Sequence, residues 1–370
     1  MERLAADQRE QQQGCAVGDN VNLRVVENDL PSGGFLLPEY DSEIARPSTL
    51  REVHECQYGR IEERTAHMDD GTDYDFNKFI PADLRSDTGI SDITAWWTHP
   101  NLEHYLKGGR AAMYHGYAKI QMGPPIGLLA GGVSLSKAVH DAHRILDTEL
   151  ESMGVNPEQA IVTGDSRGAM TGLGMSVPQY AGNRRIVYAD VKAACIPEPL
   201  ELSDWPGVIA QLKGEGSSLV KIGLEYARRG QIAQYIASLP PRHVSHVPNA
   251  LRIFPGLIGG EAGRLFDASD PNTAVHLTEF ASDKWGQVDV WRDKFADRDN
   301  AVVVEKYGNH VDGIAATRTR RDTSARLRAI SEIRGFDGSF DTIDFARDVF
   351  TVNRKTYEET KKAVRLLRVA

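Results

Sequence analysis

The pentapeptide Gly164-Asp165-Ser166-Arg167-Gly168 constrains the fold of this chain more than any other feature. This G-x-S-x-G pattern follows the apolar run Gln159–Thr163, which is typical of a short buried strand, and opens a stretch of small residues that predicts a helix. A serine in this context lies on a strained strand-to-helix turn that points its hydroxyl out of the sheet. A side chain at either glycine would collide with a neighbouring strand or helix. Ser166 is therefore predicted at a helix N-terminus, where the helix dipole and free N–H groups favour negative charge.

From about Tyr58 to Ile330, the order of motifs resembles the α/β-hydrolase fold family. The resemblance implies a mostly parallel, eight-stranded sheet with an antiparallel first hairpin and helices on both faces. Residues 196 to about 273 are too many for a strand-to-helix connection, which indicates an inserted helical cap. The resemblance also implies a catalytic triad in the order serine, acid, histidine. In this family the acid usually follows the strand two after the nucleophile strand, and the histidine follows the next strand.

Both of these positions are filled. Asp283 follows the apolar run Ala274–Phe280, and His310 follows the run Ala301–Tyr307. A serine hydroxyl is a poor nucleophile at neutral pH, whereas an imidazole beside it can take and return a proton. A carboxylate then fixes the imidazole tautomer and stabilises its cation. The resemblance thus implies Ser166 as nucleophile, His310 as base and acid, and Asp283 as the group that orients His310.

Alternatives to these assignments stay open. Some relatives carry the acid after the preceding strand, so Glu198, or Asp190 within that strand, is a rival to Asp283. His243 and His246 lie in the predicted insertion, where they line a pocket or belong to surface loops. Asp312 is expected to be a local cap.

An oxyanion hole needs preorganised N–H donors. The resemblance implies one donor from the backbone N–H of Arg167 and a second from the loop after the third strand. We expect this second donor to be His99, or else Thr98, because Pro100 has no N–H. The His-Gly pair at His115 lies on the next predicted strand, which indicates a structural or pocket-lining role.

Several side chains near these loops are candidates for an apolar substrate pocket. Trp285 follows the predicted acid and is the foremost of them. Tyr117 and Thr98 are the other two expected pocket residues.

Strand and helix signals alternate along most of the chain, which predicts a parallel sheet covered by helices. An antiparallel hairpin is expected from Tyr58–Met68 and Tyr74–Ile80, joined by an Asp-Asp-Gly turn. Strands are also predicted at Ile93–Thr98 and Ala111–Ile120, and a helix from Ser134 to about Met153. The predicted organisation is an N-terminal arm (1–55), a hydrolase core (56–195 and 274–370) and a cap or lid insertion (196–273).

Composition excludes several classes of protein. The net charge of −9 lacks the basic footprint of a nucleic-acid-binding protein. Three scattered cysteines without a C-x-x-C pair exclude a zinc ribbon and a disulfide framework. No apolar run is long enough to span a membrane, and the polar N-terminus lacks the apolar core of a signal peptide. We expect a soluble, cytoplasmic protein.

The predicted function is that of a serine hydrolase acting on a small-molecule carboxylic ester or related acyl bond, without metal or organic cofactor. The same triad serves amide, lactone, thioester, acyl-transfer and C–C bond substrates, and a non-catalytic binding module of the same fold is the alternative from another class. The amphipathic C-terminal segment packs either on the parent domain or on a second copy of the chain, and the sequence leaves a homodimer open.

Overall fold

A nine-stranded sheet organises the part of the chain that the structure describes. All described residues belong to one compact unit, Ser42–Ala370. The computed structural model describes residues 43–94, 103–126, 135–156, 159–181, 185–194, 197–199, 201, 203, 206–207, 209–210, 260–283, 286–310, 313–314, 320–334 and 354–365.

The first three strands are antiparallel: β1 (Ile44–Cys56), β2 (Gly59–Met68) and β3 (Asp73–Pro81). The hairpin of β2 and β3 confirms the pair predicted from the sequence. Its turn passes through Gly71, whose φ of +84° is a conformation that glycine adopts without steric cost.

Strand β1 overlaps the segment that the sequence analysis assigned to an N-terminal arm. From Ile44 onward, this segment pairs along the whole length of β2. The strand is mostly exposed and contains Pro47, as is usual for the edge of a sheet. The sheet therefore has one strand more than the eight expected, and the added strand lies at its antiparallel edge.

Six further strands form the parallel part of the sheet, and the strand order is β1-β2-β3-β5-β4-β6-β7-β8-β9. Their neighbours in this part all run in the same direction. The carboxyl ends of these strands therefore meet at one edge. The strands are β4 (Gly89–Ile93), β5 (Lys119–Ile126), β6 (Gln159–Asp165), β7 (Arg185–Lys192), β8 (Ala274–Phe280) and β9 (Ala301–Lys306).

The boundaries of β4 and β5 differ from the predicted ones. The strand expected at Ile93–Thr98 ends at Ile93, and residues 95–98 lie outside the described part. The strand expected at Ala111–Ile120 is wrong in its first half, which is the end of a helix. Gly116, with a φ of +78°, separates that helix from β5.

The helices cover both faces of the sheet. Gly172 of α3 lies against Val162 and Val191 on one face, whereas Ile161 packs with Ile330 of α7 on the other. The helix at Leu135–Glu151 confirms the one predicted from Ser134 to about Met153. The described helices are α1 (Glu103–Tyr114), α2 (Leu135–Glu151), α3 (Arg167–Met175), α4 (Pro178–Ala181), α5 (Glu261–Asp267), α6 (Val288–Ala296), α7 (Arg320–Arg334) and α8 (Arg354–Arg365).

The predicted cap, residues 196–273, lies mostly outside the described residues, apart from short pieces and α5. Its role stays a prediction. Within the described residues, no helix has the combination of length and apolar character that a membrane span requires.

Candidate active site

Ser166 lies on the turn between β6 and α3, as its motif predicts. Its φ of 52° and ψ of −123° are a backbone conformation that non-glycine residues rarely adopt. Two hydrogen bonds hold the turn: Ser166 N donates to Lys192 O at 2.8 Å, and Ala169 N donates to Ser166 O at 2.9 Å. The serine hydroxyl is thus presented at the carboxyl edge of the parallel strands.

The two glycines of the motif leave no space for a side chain. A Cβ atom at Gly164 would overlap the carbonyl oxygen of Gly168. A Cβ atom at Gly168 would overlap the carbonyl oxygen of Ile93, at the end of β4. The strand and helix can approach this closely only because both residues are glycine.

His310 reaches Ser166 from the loop after β9. Its Nε2 atom lies 2.7 Å from Ser166 Oγ. The loop turns at Gly308, whose φ of +135° favours glycine, and a Cβ atom there would press on Gly313. The structure therefore brings together the two residues predicted as nucleophile and base.

Asp283 completes the chain of contacts from the loop after β8. Its Oδ2 atom lies 2.6 Å from His310 Nδ1, and the Asp283 side chain is fully buried. Asp283 N donates to Phe280 O at 2.8 Å, which turns the loop directly after the strand. A buried carboxylate beside one imidazole nitrogen leaves the other nitrogen to face the serine.

The two rival acids lie elsewhere. Asp190 is buried in β7 and is held by Lys192 at 2.9 Å and by Arg326 at 3.0 Å. Glu198 is exposed and has no contact with His310 in the described structure.

The donors expected for the oxyanion hole are described only in part. Arg167 is the first residue of α3, where a backbone N–H has no partner within the helix. His99 and Thr98 lie outside the described residues, and the last described residue before them is Thr94, directly after β4. Thr94 N donates to Met122 O at 2.9 Å, which fixes the chain at this point.

A small cavity of about 20 Å³ lies beside this position. The Arg167 side chain is one of its walls, and burial lowers the pKa of the guanidinium to about 10, so the group stays charged at neutral pH. Tyr74 also lines the cavity, and its hydroxyl donates to Asp141 at 2.7 Å. The other lining residues are Ile93, Thr94, Met122, Gly123, Ala138, Gly168 and Thr171.

The predicted pocket residues have mixed outcomes. Tyr117 is fully buried in the core, where it packs with Ala112 and Ile330. It precedes β5 and so lies at the amino end of the parallel strands, opposite the edge that carries Ser166. The pocket assignment of Tyr117 is wrong for this reason. Trp285, His243, His246 and Asp312 lie outside the described residues.

His115 lies in the core, which agrees with the structural one of its two predicted roles. It is fully buried, and its Nε2 atom lies 2.9 Å from Ser324 Oγ of α7.

Sequence reasoning missed Glu279, a fully buried acid in β8. Its Oε1 atom accepts a hydrogen bond from Ala194 N at 2.9 Å. Burial, followed by the negative charge of Asp283, raises the pKa of Glu279 well above its usual range. Glu279 is one of three polar residues in the run AVHLTEF, so the run itself does not distinguish it.

A group with metal-ligand chemistry lies on β1 and β2, at the antiparallel edge of the sheet and away from Ser166. Ligand atoms of Glu52, His54 and Glu63 come within 4.8 Å of one another. Arg51 Nη2 lies 3.7 Å from Glu63 Oε2, so an internal cation already compensates part of this charge.

The three residues brought together have the geometry for acyl transfer. His310 can accept the Ser166 proton through Nε2, while the Asp283 carboxylate stabilises the imidazolium through Nδ1. A hydroxyl oxygen activated in this way can attack a carbonyl carbon, and the N-terminus of α3 favours negative charge beside it.

No protein-family model and no curated protein sequence matches this chain. Among solved structures, it is similar to an esterase from Pyrobaculum calidifontis, with 13% identity over 74% of this chain and 85% of the esterase (TM-score 0.46). It is similar to the esterase Est22, with 11% identity over 72% of this chain and 80% of the other (TM-score 0.48). It is also similar to an S-formylglutathione hydrolase from Agrobacterium tumefaciens, with 10% identity over 76% of this chain and 98% of the hydrolase (TM-score 0.48).

The chain has the α/β-hydrolase fold predicted from its sequence. This is seen in the parallel sheet with its antiparallel edge, in the turn at Ser166 and in the loops after β8 and β9.

Proposed function

We propose that this chain is a serine hydrolase that cleaves a small-molecule carboxylic ester, or a related acyl bond, through an acyl-enzyme on Ser166. One observation carries the proposal: a continuous set of contacts runs from Ser166 Oγ through His310 to Asp283, with lengths of 2.7 and 2.6 Å. Both lengths suit direct proton transfer and charge stabilisation.

In the acylation half, Ser166 Oγ attacks the ester carbonyl carbon as its proton passes to His310 Nε2. The carbonyl oxygen becomes negative and is stabilised by the Arg167 N–H and by a donor from the loop after β4, where Thr98 or His99 is expected. His310 then gives its proton to the leaving alcohol oxygen, the C–O bond breaks, and the acyl group stays on Ser166.

In the deacylation half, a water molecule gives a proton to His310 Nε2 and attacks the acyl carbon. The second negative intermediate collapses, the acid leaves, and the proton returns to Ser166. Asp283 keeps its own charge throughout and stabilises the imidazolium in both halves.

Labelling with a fluorophosphonate probe tests the nucleophile directly. The probe should label the wild-type protein at Ser166, located by peptide mass spectrometry, and should not label Ser166→Ala. Ser282→Ala is a matched control, because Ser282 is an exposed serine in the Asp283 loop. A folded wild-type protein without label, or a label that persists in Ser166→Ala, would contradict the proposal.

A substrate panel decides the class of bond. Short p-nitrophenyl esters, the matching anilides and the matching thioesters share an acyl group and differ in the leaving group, whereas a lactone carries its leaving oxygen on the same molecule as its acyl group. We expect the highest kcat/KM on the esters. Labelled protein that turns over none of the panel would favour a substrate outside these classes, and the same chain without label would favour a binding module.

A further inference from the structure

Glu279 is an acidic side chain buried in the strand that leads to Asp283. Glu279 has no exposed surface, and every residue of β8 is buried. A buried carboxyl group costs free energy unless its oxygens are paired, so natural interiors rarely hold one without a role. The acyl-transfer steps make no use of this group.

The carboxyl group of Glu279 contacts both segments that meet beside Asp283. Its Oε1 atom accepts a hydrogen bond from Ala194 N at 2.9 Å, just beyond the end of β7. Its Oε2 atom makes no hydrogen bond within the described structure but lies against Gly286, where an added Cβ atom would overlap that oxygen. Gly286 belongs to the loop that carries Asp283. One side chain therefore spans the space between the end of β7 and the Asp283 loop.

The backbone at the end of β7 depends on this contact. Ala193 has a φ of +49°, a left-handed conformation that is uncommon for alanine. Ala193 N donates to Thr278 O at 2.8 Å, and the next N–H, that of the buried Ala194, donates to Glu279. A buried N–H without an acceptor would be destabilising, so Glu279 stabilises this bend.

Burial and the surrounding charges favour the neutral form of Glu279. Burial raises the pKa of its carboxyl group well above the usual range, and the negative charge of Asp283 raises that pKa further. Other charged groups nearby are paired elsewhere. Lys192, at the end of β7, lies 2.9 Å from Asp190, and Glu305, opposite Glu279 on β9, pairs with an arginine of α6. In its neutral form, Glu279 does not repel the Asp283 carboxylate.

We propose that Glu279 is a positioning residue that holds the Asp283 loop against the end of β7, so that the Asp283 carboxylate stays on His310 Nδ1. This role rests on the hydrolase function proposed above. The Asp283–His310 contact is 2.6 Å long, and a displacement of one ångström would take it outside hydrogen-bonding distance. Misplacement on that scale lowers turnover by up to about a hundredfold in enzymes.

Two substitutions of Glu279 separate its shape from its hydrogen bond. Glu279→Gln is neutral and keeps an acceptor oxygen. Glu279→Leu keeps a side chain of comparable size but has no acceptor. We expect Glu279→Leu to lower kcat by on the order of tenfold or more with little change in KM. Glu279→Gln should restore most of this loss. Glu305→Gln, which changes an acid on the adjacent strand, is the matched control and should retain wild-type kinetics.

The pKa of His310 provides a readout that a merely structural role would not change. A well-placed carboxylate raises an imidazole pKa, so Glu279→Leu should lower the His310 pKa by about one unit. This moves the acidic limb of the pH profile of kcat/KM to lower pH. NMR titration of the His310 imidazole, in protein without substrate, measures the same coupling independently of turnover.

These readouts distinguish the two proposals. If no ester is cleaved and Ser166 is not labelled, but Glu279→Leu still lowers the His310 pKa, the hydrolase function fails and the positioning role holds. An unchanged His310 pKa in folded Glu279→Leu protein overturns the positioning role. So does a Glu279→Gln protein that is as defective as Glu279→Leu.

A double-mutant cycle tests the contact with Gly286. Gly286→Ala adds a methyl group against Glu279 Oε2, and it should lower kcat in the wild-type background. In a Glu279→Ala background the methyl group has space, so the same substitution should cost less. An equal loss in both backgrounds would overturn the contact and with it the role of Glu279.

Discussion

The Nε2 atom of His310 lies 2.7 Å from the Oγ atom of Ser166, although 144 positions of sequence separate the two residues. The contact exists because β6 and β9 run parallel in one sheet, so that the loops after them open at the same edge. The parallel arrangement of the strands thus brings two loops that are distant in sequence together at one site.

Replacing His310 by glutamine should remove the base while keeping a polar side chain of similar size. We expect kcat/KM for a short p-nitrophenyl ester to fall by about 10⁴-fold or more, because the serine hydroxyl loses its proton acceptor. His67→Gln is the control, since His67 lies on the distant hairpin and pairs with Asp73 at 2.7 Å. A His310→Gln enzyme that retains a tenth of wild-type activity would refute the assignment of the base.

Asp283→Asn should separate the acid from its rival. The amide keeps the shape but favours the wrong imidazole tautomer, so kcat is expected to fall by about 10⁴-fold. Glu198→Gln should have little effect, because Glu198 is exposed and makes no contact with His310 in the described structure. If steady-state kinetics instead showed the larger loss for Glu198→Gln, the acid would have to be reassigned.

The parts of the fold that the sequence predicts well have strong local signals. The turn at Ser166 needs a glycine on both sides and an apolar strand before it. A short stretch of sequence is therefore enough to predict it. The loops of Asp283 and His310 each follow a short run rich in apolar residues, which predicts a strand; β8 is buried and β9 is mostly half-buried.

The parts that were missed lack such signals. β1 is an edge strand exposed on most of its length, so it has no alternation of apolar and polar residues, and Pro47 argues locally against a strand. Tyr117 is predicted near the site because the apolar run Ala111–Ile120 is interpreted as one strand, although a helix ends within it, just before Gly116. Glu279 was missed because burial of an acid depends on tertiary contacts with Ala194 and Gly286, which no local pattern encodes.

Gly168→Ala should be strongly destabilising. The added methyl group would overlap the carbonyl oxygen of Ile93, so β4 and α3 must separate. Overpacking of this kind costs roughly 1–3 kcal/mol of unfolding free energy. Gly172→Ala in the same helix is the matched control, because its methyl group would meet only Val162 and Val191 side chains at 3.2 and 3.4 Å. Urea unfolding measures both, and equal losses would argue against the close approach at Gly168.

His276 should make the protein less stable in acid. It is fully buried, its Nδ1 atom lies 2.8 Å from the Tyr188 hydroxyl, and burial lowers its pKa to about 3. The unfolded chain binds a proton near the ordinary pKa of about 6.5, so stability falls as pH decreases from there towards 3. Between pH 7 and pH 5 this group alone accounts for about 2 kcal/mol. In His276→Gln, urea unfolding should show this part of the pH dependence removed, and an unchanged pH dependence would mean that His276 binds its proton equally well in the folded and unfolded states.

Glu279 should act on stability with the opposite sign in the same pH range. Its pKa is raised by burial and by the charge of Asp283, so the folded protein keeps a proton that the unfolded chain releases above an ordinary pKa of about 4.3. The stability contribution of this group is complete below that pH and decreases as pH rises towards the folded-state pKa. In the wild-type protein, the contributions of His276 and Glu279 to the free energy of unfolding therefore oppose each other between pH 5 and 7.

Glu279→Gln keeps the acceptor for Ala194 N and removes the contribution of Glu279, so its unfolding free energy should rise more steeply with pH than that of the wild type. Urea unfolding at pH 5, 6 and 7 measures this slope. An identical slope in both proteins would show that Glu279 is ionised in the fold, because only an acid with a perturbed pKa contributes to the difference.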